Sequence, residues 1–400
     1  MKYIVIVPDG VADYPVEELN GQTPLAYAKT PHMDFLAQNG TVGLVQTIPE
    51  GLPAGSDIGN LSALGYDPQK SFSGRAPLEA ANLNITLTDN EVVFRCNVVT
   101  VTNDIMSDYS AGHISSQEAE KLITTLNEKL GTSSIRFYSG KSYRHLLTLK
   151  TPLAATLAQL RCTPPHDILN QDIKSFLPSG DGSEQIIKMM RGSQEILKDH
   201  PVNLARQANN QNPANMIWLW GQGQKPRLPS FQEKFQLSGS VISAVDLVNG
   251  IGKLAGLQVI SVPGVTGYYD TNYRGKADYA LRSLAHRDFV FIHIEATDEA
   301  SHNGDLKMKV ACTERIDNEV VAPILDYAKK HDDVRILILP DHRTPVIKRT
   351  HTKEPVCFVM FGKKVPKTNS SSFCESEAER SKVFFDSGEE LMSFFIKKNL

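Results

Sequence analysis

Three short runs of β-forming residues, each ending at an acid or an Asp-His pair, constrain the fold of this chain most strongly. Residues 2–7 (KYIVIV) stop at Pro8-Asp9-Gly10. Residues 289–296 (FVFIHIEA) lead into Thr297-Asp298-Glu299-Ala300-Ser301-His302, and residues 335–339 (RILIL) lead into Pro340-Asp341-His342. Apolar runs of this length, bounded by turn residues, read as strands buried on both faces, which is the habit of parallel sheets. In open α/β sheets, functional groups collect beyond the carboxyl ends of the strands. Three such ends deliver acids and imidazoles to one edge.

Between these ends the pattern changes. Residues 115–131 (SSQEAEKLITTLNEKLG) predict an amphipathic helix with Leu122, Ile123, Leu126 and Leu130 on one face and Gly131 as its stop. Residues 183–200 predict another, and NNQNP (209–213) a turn-rich connector. Residues 241–262 read as helix, glycine turn and strand, where the main sheet resumes. The expected fold class is α/β: a mostly parallel sheet flanked by helices, in two sequence pieces (1–70 and 238–400), with a smaller α/β domain inserted over 71–237. A length of 400 residues suits two domains. Segment 363–382 reads as a polar, mobile surface loop and GEELMSFFIKK as a closing helix. Trp218 and Trp220 read as core.

Composition narrows the partners. Hydrophobic residues make up 41% and charged residues 22%, as in ordinary globular proteins. The net charge of −3 carries no basic footprint for nucleic acid. No run of apolar residues is long enough to span a membrane. Five scattered cysteines without a CxxC pair fit reduced thiols in a cytoplasm. The apolar stretch before Asp9 is too short for a signal peptide. If the partner is a phosphate, local charge or a metal must attract it, not the field of the whole protein.

Asp298 and His302 stand four apart, so on a helix both point the same way and can share a divalent cation. The alternative is a helix-start acid and a surface imidazole. Asp341-His342 follows a strand directly and His351 comes nine residues later. A turn acid and a partly buried histidine is the plainer account of that pair. Asp9 alone is a favoured turn residue before glycine. Ser56 lies between the Gly/Pro-rich loop Gly51–Gly55 and a predicted helix, where the helix dipole favours anions. Its modest role is an N-cap. No Gly-x-Ser-x-Gly elbow surrounds it and no phosphate-binding GxxxxGK[ST] loop occurs. Together, three Asp, three His and one Ser are what two divalent cations require, with oxygen and imidazole donors suited to Mn²⁺, Zn²⁺ or Mg²⁺.

Five segments resemble the alkaline phosphatase superfamily: IVPDG, GSDIGNLSALGYDP, ATDEASHNGD, LPDH and RTHTKEPV. Nearly the whole chain resembles the cofactor-independent (2,3-bisphosphoglycerate-independent) phosphoglycerate mutases of the compact archaeal type. Supporting segments are SGRAPLEAA, FRCNVVTV, SDYSAGHIS, SYRHLL, CTPPHDI and IWLWGQGQKPRLPSF. The resemblance implies an alkaline-phosphatase-like metal-binding domain and an inserted substrate-binding domain. It implies interconversion of 3-phosphoglycerate and 2-phosphoglycerate, a glycolytic step, through a phosphoserine at Ser56. It implies one metal on Asp9, Ser56, Asp341 and His342 and another on Asp298, His302 and His351. Mn²⁺ is the expected ion, with Zn²⁺, Mg²⁺ or Co²⁺ as alternatives, and 2,3-bisphosphoglycerate is not required. Substrate candidates are His113, Arg144, Arg75 and Lys276, with His166 and Asp167 as a catalytic pair moving protons between hydroxyls. The partner is a small phosphorylated carboxylic acid, and the resemblance leaves the oligomeric state open. The alternative within the same chemistry is a homoserine kinase-type phosphotransferase. Three positions depart from the family pattern: Ser301 where Gly is usual, Cys357 where Pro is usual, and Arg343 after LPDH.

Overall fold

In chain order the strands are β1 (Lys2–Pro8), β2 (Thr41–Val45), β3 (Glu91–Thr102), β4 (Ile105–Asp108), β5 (Ile135–Tyr138), β6 (Arg144–Lys150), β7 (Met216–Gln224), β8 (Gly239–Ile242), β9 (Gln258–Val259), β10 (Phe289–Ile294), β11 (Val334–Ile338), β12 (Val356–Gly362) and β13 (Phe384–Phe385). The structure, a computed structural model, describes residues 1–396. The chain divides into two compact units, one of residues 1–72 and 227–400, the other of residues 73–226.

The first unit is built on an eight-stranded sheet in the order β13-β2-β12-β11-β1-β10-β8-β9. β1 runs parallel to β10 and to β11, with Pro8 opposite Ile294 and Ile6 opposite Ile338, so the three strands finish at the same edge. β8 and β9 continue the parallel run, and β12 is antiparallel to both its neighbours. The apolar runs form these strands because both faces are covered: Ile4, Val290 and Ile336 on one face and Val5, Phe291 and Leu337 on the other are all buried. The three chemistry-bearing ends are therefore adjacent, which is the consequence of sequence that matters most here. The turn after β1 depends on Gly10, at φ +60°, where a Cβ would lie 2.4 Å from Thr344 Oγ1 and 2.6 Å from Asp298 Oδ1.

The second unit carries an antiparallel sheet in which the long β3 pairs with β4, β6 and β7. Helices Ser116–Leu130 and Ser183–Leu197 appear where the periodicity predicts them. The first opens on a capping box, Ser115 with Glu118. Trp218 and Trp220 on β7 are buried in this unit's core.

Two expectations are corrected. Segment 363–382 is not a free loop. It contains helix Glu375–Ser381, and Ser370, Phe373, Cys374 and Glu375 are buried. Glu375 is held by Thr23 Oγ1 at 2.6 Å and by the Asp13 N–H at 3.0 Å. Residues 241–262 begin inside a strand, β8, before helix Asp246–Leu254 and β9. The closing helix runs over Gly388–Ile396, and the end of its predicted span lies outside the described residues. Among the described residues no helix is long and apolar enough to cross a membrane.

Candidate active site

The carboxyl ends of β1, β10 and β11 set the site. Asp9 follows β1 and is fully buried. Its backbone N–H donates to the Ile294 carbonyl at 3.0 Å, and Thr297 Oγ1 donates to its carbonyl, so the end of β10 and the helix that follows it each fix it once. Asp341 and His342 follow β11, both with no exposed surface. Asn60 Nδ2 donates to Asp341 Oδ2 at 2.8 Å and to the Ser56 carbonyl at 3.0 Å. That amide ties helix Ser56–Ala63 to the strand end and sets Ser56 Oγ 3.1 Å from His342 Nε2. His342 Nε2 is also 3.3 Å from Asp341 Oδ2 and 3.6 Å from Asp9 Oδ1. Asp9, Ser56, Asp341 and His342 are thus brought together.

Asp298, His302 and His351 form a second convergence. Helix Ala296–His302 presents Asp298 and His302 on one face, with His302 Nε2 3.2 Å from Asp298 Oδ2. His351 Nε2 reaches within 2.9 Å of His302 Nε2 and 3.5 Å of Asp298 Oδ1. Thr344 joins the two groups: its hydroxyl donates to Asp298 Oδ1 at 2.6 Å and stands 3.1 Å from His342 Nδ1.

These hydrogen bonds decide which nitrogens face inward. Thr344 Oγ1 gives its proton to Asp298, so it accepts from His342 Nδ1–H and leaves the Nε2 lone pair of His342 toward Ser56. His302 Nδ1 donates to the Arg349 carbonyl at 2.9 Å, which turns its Nε2 inward toward Asp298 and His351. Ring nitrogens anchored on one side and open on the other are the usual state of metal-ligating histidines. Asp9 Oδ1 is buried without a hydrogen-bond partner, which a buried carboxylate oxygen tolerates poorly. Asp298, His342 and His351 place ligand atoms within 4.8 Å of one another, as do Asp9, His293 and Asp341, and Asp9, Glu295 and Asp298. The donor set fits divalent cations.

The electrostatics agree. Burial, then Asp341, Asp298 and Glu295, push Asp9 well above the usual carboxylate range. Burial and Asp298 push Glu295 up to about 8. Burial also acts on Asp298, but hydrogen bonds from His302 and His351 outweigh it and hold Asp298 well below the ordinary value. The bond to Asp298 raises His302 to about 9. Burial depresses His342. Clustered acids that resist ionising together in the absence of cations supply the negative charge a divalent ion needs, and the ion in turn favours a phosphorylated anion.

The site contains residues that motif reading passed over. His293 and Glu295 lie in and just after β10, inside a run read as plain strand. His293 is fully buried, with Nε2 3.0 Å from Asp9 Oδ2. A histidine and a glutamate two apart in a run otherwise apolar was the available signal. Lys276, expected to reach a phosphoryl group, is almost wholly buried and donates to the His293 carbonyl at 2.6 Å. Its ammonium is spent on the β10 backbone, and burial lowers it to about 8. Of the three departures, Ser301 donates to the Thr297 carbonyl at 2.8 Å, Cys357 is buried in β12, and Arg343 donates to the carbonyls of Pro355 and Asp13. None removes a member of either convergence.

In the second unit the substrate candidates share an aromatic-lined cationic patch. Arg144 lies over Tyr143 at 4.3 Å and Arg95 over Trp220 at 4.1 Å. His166 packs edge-on against Trp220 and Tyr109, and His113 against Tyr143. Burial lowers His166, Asp167 opposes that, and Arg95, Arg75 and Arg144 reinforce it. His166 Nε2 and Asp167 Oδ1 stand 3.6 Å apart, an ion-pair distance beyond hydrogen-bond reach.

A relative from Methanosarcina barkeri, named 2,3-bisphosphoglycerate-independent phosphoglycerate mutase, is 48% identical over 99% of this chain and 100% of its own length. The chain belongs to the 2,3-bisphosphoglycerate-independent phosphoglycerate mutase family. A Geobacter sulfurreducens protein, named as a probable member, is 45% identical with full coverage of both chains. The model of the family matches residues 37–203. Among solved structures, a Pyrococcus horikoshii protein is similar with a TM-score of 0.82 and 29% identity, over 99% of this chain and 96% of the other. A cofactor-independent phosphoglycerate mutase from Thermoplasma acidophilum is similar with a TM-score of 0.70 and 26% identity, over 99% of each chain. The mixed α/β architecture with a mostly parallel central sheet is thus similar to that of a solved cofactor-independent phosphoglycerate mutase.

Proposed function

We propose that this chain interconverts 3-phosphoglycerate and 2-phosphoglycerate without 2,3-bisphosphoglycerate, carrying the phosphoryl group on Ser56. The observation that carries the reading is the Ser56 hydroxyl 3.1 Å from the inward Nε2 of His342, beside Asp341 and the open Oδ1 of Asp9. Asp9, Ser56, Asp341 and His342 would hold one divalent ion and Asp298, His302 and His351 a second, with Mn²⁺ the first candidate. When bound, such ions neutralise phosphoryl charge and make a serine hydroxyl acidic enough to attack. Ser56 Oγ takes the phosphoryl group from the 3-oxygen of 3-phosphoglycerate, and that oxygen leaves as a hydroxyl. The 2-hydroxyl of the glycerate then attacks phosphoserine, loses its proton and restores Ser56.

The chain contributes mostly placement, as phosphoryl transfer requires. Helix Ser56–Ala63 begins at the nucleophile, so the positive end of its dipole favours the transferred anion. Asn60 holds that helix to Asp341. In the second unit, Arg144 and Arg75 suit the forked recognition of carboxylate or phosphate. His166 and Asp167 are assigned the movement of protons between the substrate hydroxyls.

An enolase-coupled assay on Mn²⁺-loaded protein tests this. We expect 2-phosphoglycerate from 3-phosphoglycerate alone, acid-stable phosphate on Ser56 by mass spectrometry, and loss of both in Ser56→Ala. Turnover that survives in Ser56→Ala overturns the nucleophile. A silent but metal-loaded wild type overturns the mutase reading, and phosphate transfer to homoserine in a parallel reaction would replace it.

A further inference from the structure

We propose that His293 is a positioning residue that holds Asp9 for its cation and is not itself a ligand. The assignment deepens the metal reading above and rests on it. Asp9, His293 and Asp341 lie close enough together to share an ion, so distance alone leaves two roles open for the imidazole. The hydrogen bonds separate them.

His293 Nδ1 lies 3.2 Å from Ser243 Oγ. That oxygen also accepts the Val245 backbone N–H at 2.9 Å, and the ionised Asp9 carboxylate that a cation requires can only accept from Nε2, so the arrangement that satisfies both ring nitrogens has the Ser243 hydroxyl donate to Nδ1. Glu295 Oε2 is 3.7 Å from Nδ1, beyond hydrogen-bond reach. With Nδ1 accepting, the neutral ring carries its proton on Nε2, 3.0 Å from Asp9 Oδ2. A protonated nitrogen cannot ligate a metal. It donates to one carboxylate oxygen and leaves the other, Oδ1, as the buried atom without a partner.

The imidazole is itself braced. Lys276 Nζ donates to the His293 carbonyl at 2.6 Å, and β10 is in register with β1 up to Pro8↔Ile294, one residue before Asp9. The relay Ser243, His293, Asp9 therefore turns one face of the carboxylate toward the cation. Partners of this kind orient ligands, and their loss typically costs about 10–100-fold in metal affinity.

Calorimetry with Mn²⁺ on metal-stripped protein is the test, using wild type, His293→Leu and His293→Gln. Glutamine can place an amide N–H close to the position of Nε2, and leucine cannot. We expect His293→Leu to bind Mn²⁺ roughly 10–100-fold more weakly, and His293→Gln to stay within about threefold of wild type. Equal affinity in His293→Leu overturns the proposal, as does His293→Gln falling as far as His293→Leu. A wild type that takes up no Mn²⁺ overturns the metal reading, and the assignment with it. Should His293→Leu not fold, histidine-selective nitrogen NMR on the wild type loaded with diamagnetic Zn²⁺ or Mg²⁺ reads the tautomer. A proton on Nε2 supports the role, and a bare Nε2 overturns it.

Discussion

Single side chains in this protein are decided by what their second polar atom does. His342 and His302 each lose one nitrogen to a hydroxyl or carbonyl and present the other. His145, in the second unit, shows the cost when no second partner exists. It is almost fully buried, its Nδ1 accepts the Gly140 N–H at 3.0 Å, and its Nε2 has no partner. Burial lowers its pKa from 6.5 to about 4. Between those values the unfolded chain binds a proton at this position and the folded chain refuses it. Stability therefore falls as the pH drops through that window, by about 3 kcal/mol for the full shift, and levels off below it. Both tryptophans of the chain, Trp218 and Trp220, lie in the same unit, so their fluorescence in urea follows that unit alone. His145→Asn, whose carbonyl can still accept the Gly140 N–H, should flatten the difference between pH 6.5 and 4. Parallel curves for variant and wild type would refute the argument. Legibility follows the same division. Asp298 and His302 were readable because helical spacing predicts a shared face, and Ser56 because a Gly-rich loop precedes a helix. His293 and Thr344 were not, because their roles arise from contacts across the sheet that no local spacing encodes.

At the scale of elements, the parallel register of β10, β1 and β11 turns three sequence ends into one site. That much was legible from apolar runs stopping at acids. The content of residues 363–382 was not: a polar composition hid Glu375, whose carboxylate is buried against Asp13 and Thr23 from elsewhere in the first unit. The packing of helix Ser56–Ala63 on the β11 end is another fact of the fold, and it reverses a familiar rule. Glycine inside a helix is about 1 kcal/mol worse than alanine, so Gly59→Ala would ordinarily stabilise. Here the added Cβ would lie 2.4 Å from the Asp341 carbonyl oxygen, a backbone atom that cannot swing aside. The substitution should destabilise by about 1–3 kcal/mol and weaken Mn²⁺ binding, because Asp341 and Ser56 are set by the same contact. Thermal unfolding and metal titration of Gly59→Ala check both halves. A variant more stable than wild type with unchanged metal affinity would show that the close approach is not rigid.

At the scale of the molecule, the second unit is a continuous stretch with its own core, set within the sequence of the first. Its ends are tied together, since Ser73 Oγ donates to the Gln224 carbonyl at 2.7 Å. In the first unit, Tyr66 Oη donates to the Pro229 carbonyl at 3.0 Å, so the two sequence pieces meet close to where the second unit leaves and returns. Each unit therefore closes without the other's chain. Residues 73–226 expressed alone should unfold cooperatively, with tryptophan emission moving to the red in one transition. The remainder, with residues 73–226 replaced by a short Gly/Ser linker, keeps Asp9, Ser56, Asp298, His302, Asp341, His342 and His351 and loses the patch around Arg144 and His166. It should bind Mn²⁺ with an affinity near that of the whole chain and form no 2-phosphoglycerate. Calorimetry and the coupled assay measure the two properties separately. Mutase turnover by the remainder would show that the second unit supplies no group the reaction needs. Loss of Mn²⁺ binding from a folded remainder would show that the cation site draws on residues beyond the three strand ends and helix Ser56–Ala63.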